Sequence, residues 1–344
     1  MREKPNVVED DLIACLQEQY GIATVTLDFL PLGADYDAGV YRVEGEDGNC
    51  YLLKIKSGPL YEPGYLVSRY LRELGMVSVV APIPTKSDSL WTQVGIWTAL
   101  VFPFIEGDTS WTGMTPQQWQ EAGRTLKQIH QIVLPATGFE GVRKETFDPS
   151  AYARWLRTFD AQHAHTEEKT VAERLILSAW TTYRDTIYIA IASLEKLAAA
   201  LRKQSGPYVI CHADLHASNL LRTQDGRVFV IDWDDVKLAP RERDFIYARE
   251  QRAGGPSWEN TTPFFQGYGE TEIDWVALTY YLWERVAQDL IEYAKSALFE
   301  DKWSEETRME SARIFHSILA GGGGEAVTAA LAAASHLPPE LIVP

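Results

Sequence analysis

The stretch Cys211-His212-Ala213-Asp214-Leu215-His216-Ala217-Ser218-Asn219 holds the densest set of chemically capable side chains in the sequence, in the pattern H-x-D-x-H-x-x-N. Thirteen residues beyond Asn219, a hydrophobic run ends in Ile231-Asp232-Trp233-Asp234. An aspartate, an amide and a second aspartate in that order meet the needs of phosphoryl transfer. One carboxylate orients an acceptor hydroxyl and takes its proton, while the amide oxygen and the other carboxylate hold Mg²⁺ against nucleotide phosphates. Taken singly, each of these residues could do no more than cap a turn. Their order, with a strand lysine upstream, is what points to chemistry.

That lysine is Lys54, in Tyr51-Leu52-Leu53-Lys54-Ile55-Lys56. It would supply the cation for the α- and β-phosphates of a nucleotide. Alternation does not separate it from Lys56, which lies on the same face, but its place ahead of the next helix favours Lys54. Glu62, just before that helix, is its expected ion-pair partner, with Glu73 the second candidate. A loop over residues 33–39 offers Gly33, Asp35 and Gly39. Glycines there let backbone N–H groups approach phosphate, although the loop is no Walker motif and departs from G-x-G-x-x-G. The connector Phe102-Pro103-Phe104-Ile105-Glu106-Gly107 keeps a carbonyl at Pro103 and an N–H at Ile105, a pair able to receive a nucleobase. It serves equally well as a plain linker, and by itself it does not separate ATP from GTP.

The elements that must position these groups fall into two regions. An amphipathic helix is expected over Glu9–Gln19, ending near Gly21. Strands follow at Val25–Leu30, Val40–Val43, Tyr51–Ile55 and Ile96–Val101, with a hairpin turn at Gly48-Asn49 and one helix over Pro63–Leu74. Beyond Gly107 the pattern turns helical. Thr115-Pro116-Gln117-Gln118 reads as a capping box with proline in the first turn. Further helices are expected over Pro149–Phe159, Val171–Lys203, Trp275–Tyr293 and Glu305–Leu319. The segment Asn219–Asp232 reads as a hairpin turning at Asp225-Gly226. The fold class expected is α+β with two lobes. Residues 1–106 form a small β-rich nucleotide-binding lobe, and residues 107–344 a larger helical lobe carrying the catalytic loop and acceptor site.

The composition of the 344 residues is globular, with 46% apolar and 23% charged. The charged opening segment and the lack of a long apolar run lead to the expectation of a cytoplasmic protein without a membrane span. Cys15, Cys50 and Cys211 lack metal-ligand spacing and fit a reducing compartment. The net charge of -16 repels nucleic acid and anionic lipid and favours a cationic partner, although acidity also simply aids solubility.

Together, the H-x-D-x-H-x-x-N loop, the Ile231–Asp244 segment, Lys54, the Gly33–Asp35 loop, the Phe102–Ile105 connector and Gly267–Gly269 resemble the aminoglycoside phosphotransferase and choline kinase superfamily, over nearly the whole chain. The resemblance implies a protein-kinase-like fold using ATP and Mg²⁺. It further implies Asp214 as catalytic carboxylate, Asn219 and Asp232 as magnesium ligands, and His212 and His216 as braces of the loop. Asp244, in Arg241-Glu242-Arg243-Asp244, would be a buried acceptor of hydrogen bonds from the catalytic loop. A surface salt bridge to Arg241 or Arg243 is the other reading.

The segment after Asp232 is too short for a peptide-docking platform, which favours a small acceptor. Within the superfamily the likeness is strongest to the spectinomycin-phosphorylating branch, implying a cationic aminocyclitol or aminoglycoside and a role in antibiotic resistance. A metabolic kinase for another amino-alcohol such as choline, or an inactive kinase-shaped binding protein, are the alternatives. Asp234, Glu284 and Asp289 are candidate acceptor contacts, although Arg285 stands four residues from Asp289 and can pair with it on the helix surface.

Overall fold

The computed structural model describes residues 4–32, 38–163, 170–204, 206–252, 255–299, 303–320 and 325–344. It has an antiparallel sheet in its N-terminal region and a larger helical C-terminal region, as the kinase-like reading expects. The chain divides into two compact units. The first comprises residues 1–143, 209–238 and 266–269, and the second residues 144–208, 239–265 and 270–344. This division differs from a single cut after residue 106. Asp108 exchanges backbone hydrogen bonds with Arg222, and the helix after the connector packs on the strands of the catalytic segment. Residues 107–143 and 209–238 therefore cohere with the sheet.

In the first unit, helix α1 (Glu9–Cys15) runs on through a wider turn at Leu16–Tyr20 and stops at Gly21, whose φ of 75° suits glycine. The sheet consists of β1 (Thr24–Leu30), β2 (Ala38–Gly45), β3 (Cys50–Ser57), β4 (Thr92–Val94) and β5 (Trp97–Pro103) in the order β1-β2-β3-β5-β4. Helix α2 (Glu62–Glu73) follows β3. Leu53 and Ile55 of β3 join Tyr41, Val43, Ala99 and Val101 in a core shared with Leu12 and Leu16 of α1. Lys54 lies on the opposite face, level with Val40 and Leu100. There Leu100 packs with Tyr65 of α2. Each buried aliphatic side chain is worth roughly 1.5–3 kcal/mol, so a one-residue slip that put Lys54 and Lys56 into the α1 core is excluded.

Helix α3 (Pro116–Gln131) begins with the expected box. The Thr115 hydroxyl accepts from the Gln118 N–H, and the Gln118 side chain accepts from the Thr115 N–H. The expected hairpin pairs Leu220–Arg222 with Val228–Val230 and turns through Gly226 at φ 88°.

The second unit contains α4 (Ser150–His163), α5 (Val171–Thr182), α6 (Arg184–Leu201), α8 (Trp275–Leu298), α9 (Glu305–Leu319) and α10 (Glu325–Ala334), while the short α7 (Pro263–Tyr268) straddles the division. The expected single helix over Val171–Lys203 is two helices. The chain leaves helical geometry at Tyr183 (φ -110°, ψ 22°), after the β-branched pair Thr181-Thr182. The break lets Arg184 fork onto the carboxylate of Asp160 at 2.9 and 2.7 Å, beside the Trp180 indole N–H and the Tyr188 hydroxyl, which donate to the same group. The central helix α8 is capped by Asp274, which accepts from the N–H groups of Val276 and Ala277. It packs against α6, α9 and α10. Among the described residues no helix is long and apolar enough to cross a membrane, and no disulfide joins Cys15, Cys50 and Cys211.

The Arg184 hydrogen bonds hold the Asp160 carboxyl well below the usual carboxylate range, against the opposing effect of burial and with help from Trp180 and Tyr188. A carboxylate depressed in the fold stabilises above its unfolded pKa of about 3.9 and loses that contribution as pH falls toward the folded value. Asp160→Asn is therefore expected to lower the urea midpoint at neutral pH. It should also flatten the decline of that midpoint below about pH 4, measured by denaturant titration across that range.

Candidate active site

Strand Val209–Cys211 leads directly into the H-x-D-x-H-x-x-N loop. His212 is fully buried, with its Nε2 2.8 Å from the carbonyl of Ile231. Its Nδ1 accepts the N–H of Asp214 at 3.3 Å. Because a backbone N–H can only donate, Nδ1 must be the bare nitrogen and Nε2 carries the proton that goes to Ile231. The ring also meets Trp233 edge-on, with centroids 4.8 Å apart. One imidazole thus ties the residue preceding Asp232 to the backbone of Asp214.

Asn219 makes the second tie. Its Nδ2 donates to the carbonyl of Asp214 at 2.8 Å, its N–H to the carbonyl of His216 at 2.9 Å, and its own carbonyl accepts from Ile231 at 3.1 Å. With the side-chain nitrogen so committed, the amide oxygen is the atom it can offer to a cation. His216 Nε2 lies 3.4 Å from Asp214 Oδ2, and its ring lies under the exposed indole of Trp111, centroids 4.4 Å apart. The loop carrying Trp111 is held by the buried Arg222, which donates to Asp108 and to the carbonyls of Ser110 and Thr112. Ala213 (φ 71°) and Asp232 (φ 62°) both occupy the left-handed region that costs a side chain energy. Such strain persists only where surrounding bonds over-determine the backbone.

Lys54 Nζ stands 2.8 Å from Asp232 Oδ1 and 3.1 Å from Asp234 Oδ2. Lys56 Nζ reaches the same Asp234 oxygen at 2.9 Å, and the Tyr65 hydroxyl donates to Asp234 Oδ1 at 2.7 Å. Burial disfavours the charge on Lys54, yet Asp232 and Asp234 outweigh it and hold the ammonium pKa above its ordinary value. Burial likewise opposes ionisation of Asp234, and Lys54 and Lys56 reverse that effect and hold its carboxyl low. Lys54, Asp214, Asn219 and Asp232 all lie in the first unit.

Several expected contacts are placed differently. Glu62 is exposed on the first turn of α2, and the ion-pair partners of Lys54 are Asp232 and Asp234. Helical spacing turns Tyr65, not Glu62, toward the sheet. Asp234 is occupied by two lysines and a hydroxyl, which removes it from the free carboxylates of an acceptor pocket. Glu284 is buried on α8 in an ion pair with Arg243 at 2.5 Å, with the Tyr280 hydroxyl 3.4 Å away. Asp289 pairs with Arg285 at 2.9 Å, the helix-surface alternative. Asp244 is 1% exposed, which rules out the surface salt bridge, and Arg241 pairs with Glu242. Gly33 and Asp35 lie outside the described residues. Pro103 and Ile105 line a cavity of about 580 Å³, walled also by Val79, Ala81, Asp225 and Arg227.

Tyr65, Lys56, Trp111 and Arg222 were not singled out for these roles. Tyr65 carries a signal, since its hydroxyl sits on the apolar face of an amphipathic helix. The others need the tertiary path.

Residues 28–281 match the APH family model, described as the phosphotransferase enzyme family. The chain belongs to that family. As a member it is an ATP-dependent kinase with an alcohol group as acceptor, which sets aside the inactive binding protein. Spectinomycin phosphotransferase APH(9)-Ia, solved with ADP and spectinomycin, is 28% identical to it, with a TM-score of 0.82 over 94% of this chain and 98% of that one. Protein StrN of Streptomyces griseus is 26% identical over 263 residues, which are 72% of this chain and 76% of that protein. An ethanolamine kinase of Plasmodium vivax shares the fold alone, at 15% identity and a TM-score of 0.54, covering 86% of this chain and 82% of its own.

Gly64 lets α2 approach the catalytic segment, since a Cβ there would lie 2.5 Å from the carbonyl oxygen of Trp233. Gly64→Ala is expected to destabilise the protein by about 1–3 kcal/mol in urea unfolding, because neither backbone can yield freely.

Proposed function

We propose that this kinase transfers the γ-phosphate of ATP to a hydroxyl of a cationic aminocyclitol or aminoglycoside, with spectinomycin as the first candidate, and so confers antibiotic resistance in the cytoplasm. The observation that carries the reading is the likeness to APH(9)-Ia along 94% of the chain. The net charge of -16 suits a polycationic acceptor. The exposed Trp111 ring beside His216 and Asp214 gives such a cation an aromatic surface next to the reacting carboxylate.

In this reading Asp214 orients the acceptor hydroxyl for in-line attack and accepts its proton. Its backbone is anchored on both sides by His212 and Asn219, so the carboxylate is positioned before substrate arrives. Lys54 carries the α- and β-phosphates. The carbonyl of Pro103 and the N–H of Ile105 receive the adenine. The amide oxygen of Asn219 and the half-exposed carboxylate of Asp232 form an all-oxygen donor set that fits Mg²⁺. When bound there, the metal would neutralise charge on the phosphates.

Release of ADP from ATP in Mg²⁺ buffer is expected to rise on adding spectinomycin, and to fall by about 100-fold or more in Asp214→Ala. Spectinomycin-independent release would reject the drug as acceptor, and a panel of aminoglycosides and amino-alcohols including choline would then identify the class. Full spectinomycin-dependent turnover by Asp214→Ala would overturn the assignment of the base.

A further inference from the structure

We propose that Asp234 is the positioning carboxylate of the nucleotide-binding lysine, taking the place expected for a helix glutamate, and that Tyr65 couples helix α2 to it. The inference rests on the kinase reading of Lys54 but not on the identity of the acceptor.

The case begins with the two carboxylates that Lys54 touches. Asp232 has a side chain that is 47% exposed, whereas that of Asp234 is only 21% exposed. Asp234 is fixed from three directions: Oδ2 receives both Lys54 and Lys56, and Oδ1 receives Tyr65. Asp232 meets Lys54 through Oδ1 alone, whereas Asp234 is held by three donors across both oxygens and is suited to stay. Asp234 can therefore keep Lys54 aimed when Asp232 is drawn to another cation. An ammonium has three N–H bonds, so the pairing with Asp234 leaves donors for phosphate oxygens.

The route from α2 to this anchor is direct. Glu62 is exposed, whereas Tyr65, three residues on, is buried against the sheet. The Tyr61 hydroxyl donates to the carbonyl of Val236 at 2.9 Å, and Gly64 abuts the Trp233 carbonyl. Tyr61, Gly64 and Tyr65 at the start of α2 thus meet Val236, Trp233 and Asp234. Helix position is transmitted to Lys54 through the segment after Asp232 and not through a lysine–glutamate pair.

The test is binding of fluorescent ADP in EDTA, followed by kcat and KM for ATP, with the thermal midpoint as a control for folding. Asp234→Asn is expected to weaken metal-free ADP binding by about tenfold, the value of one charge-assisted bond, and to raise KM for ATP more than it lowers kcat. Asp234→Glu should recover part of the loss and Tyr65→Phe should show a smaller one, while Glu62→Gln binds ADP as the unaltered protein does. A loss in Glu62→Gln equal to that in Asp234→Asn would overturn the proposal. So would unchanged ADP binding in a folded Asp234→Asn. Failure of the unaltered protein to bind ADP would sink the role of Lys54 itself, and a failure with spectinomycin alone would leave these outcomes untouched.

Discussion

Two lysines on one face of β3 and two aspartates after the catalytic hairpin form a charge-balanced cluster, and the geometry of the site depends on it. Lys54 and Lys56 are separated by one residue, as are Asp232 and Asp234, and Lys54 meets both aspartates while Lys56 meets Asp234. Each charge is partly withdrawn from water, which is costly unless an opposite charge stands beside it. The balance of two cations and two anions meets that condition. It also fixes the sheet against a segment nearly 180 residues further along the chain.

The rest of the site is built to keep that segment from relaxing. Ala213 and Asp232 sit in backbone conformations that disfavour side chains, and between them run the hydrogen bonds of His212 and Asn219. These bonds are made almost entirely to backbone carbonyls and N–H groups, so they define where the chain goes, whatever the side chains do next. The consequence is a division of labour within one short motif. The polar pattern contains residues proposed to face the reaction and others that hold the loop, and only the partners of each atom separate the two kinds.

The second unit meets its own electrostatic demands. Its core encloses the Arg243–Glu284 pair, while the buried carboxylate of Asp160 is met by the largely exposed Arg184, so each acid is satisfied by an internal partner. Removing one member of such a pair leaves a buried charge uncompensated, which is why these groups persist inside a helical core. Carboxylates that look available in a helical-wheel reading are therefore already in use. An acidic composition raises the odds of an acidic pocket but does not identify its walls.

Much of the fold is legible in the sequence. The alternation of β3, the capping box at Thr115, the hairpin turn at Gly226 and the order of Asp214, Asn219 and Asp232 are local properties, set by side-chain period, turn chemistry and motif spacing. Helix boundaries drifted where local signals were weak, as at Tyr183, where a long apolar pattern hid a break that Asp160 exploits from another helix. The partner of Lys54 was beyond reach because it depends on the helical phase of α2 and on how closely Gly64 lets that helix approach Trp233. By itself the sequence determined the fold family and marked the groups proposed to react, since phosphoryl transfer demands particular residue types in a particular order. Only the tertiary structure decided which carboxylates are free and which are spent on neighbours, because ion pairing depends on distance in space and on burial, and neither is written in the spacing along the chain.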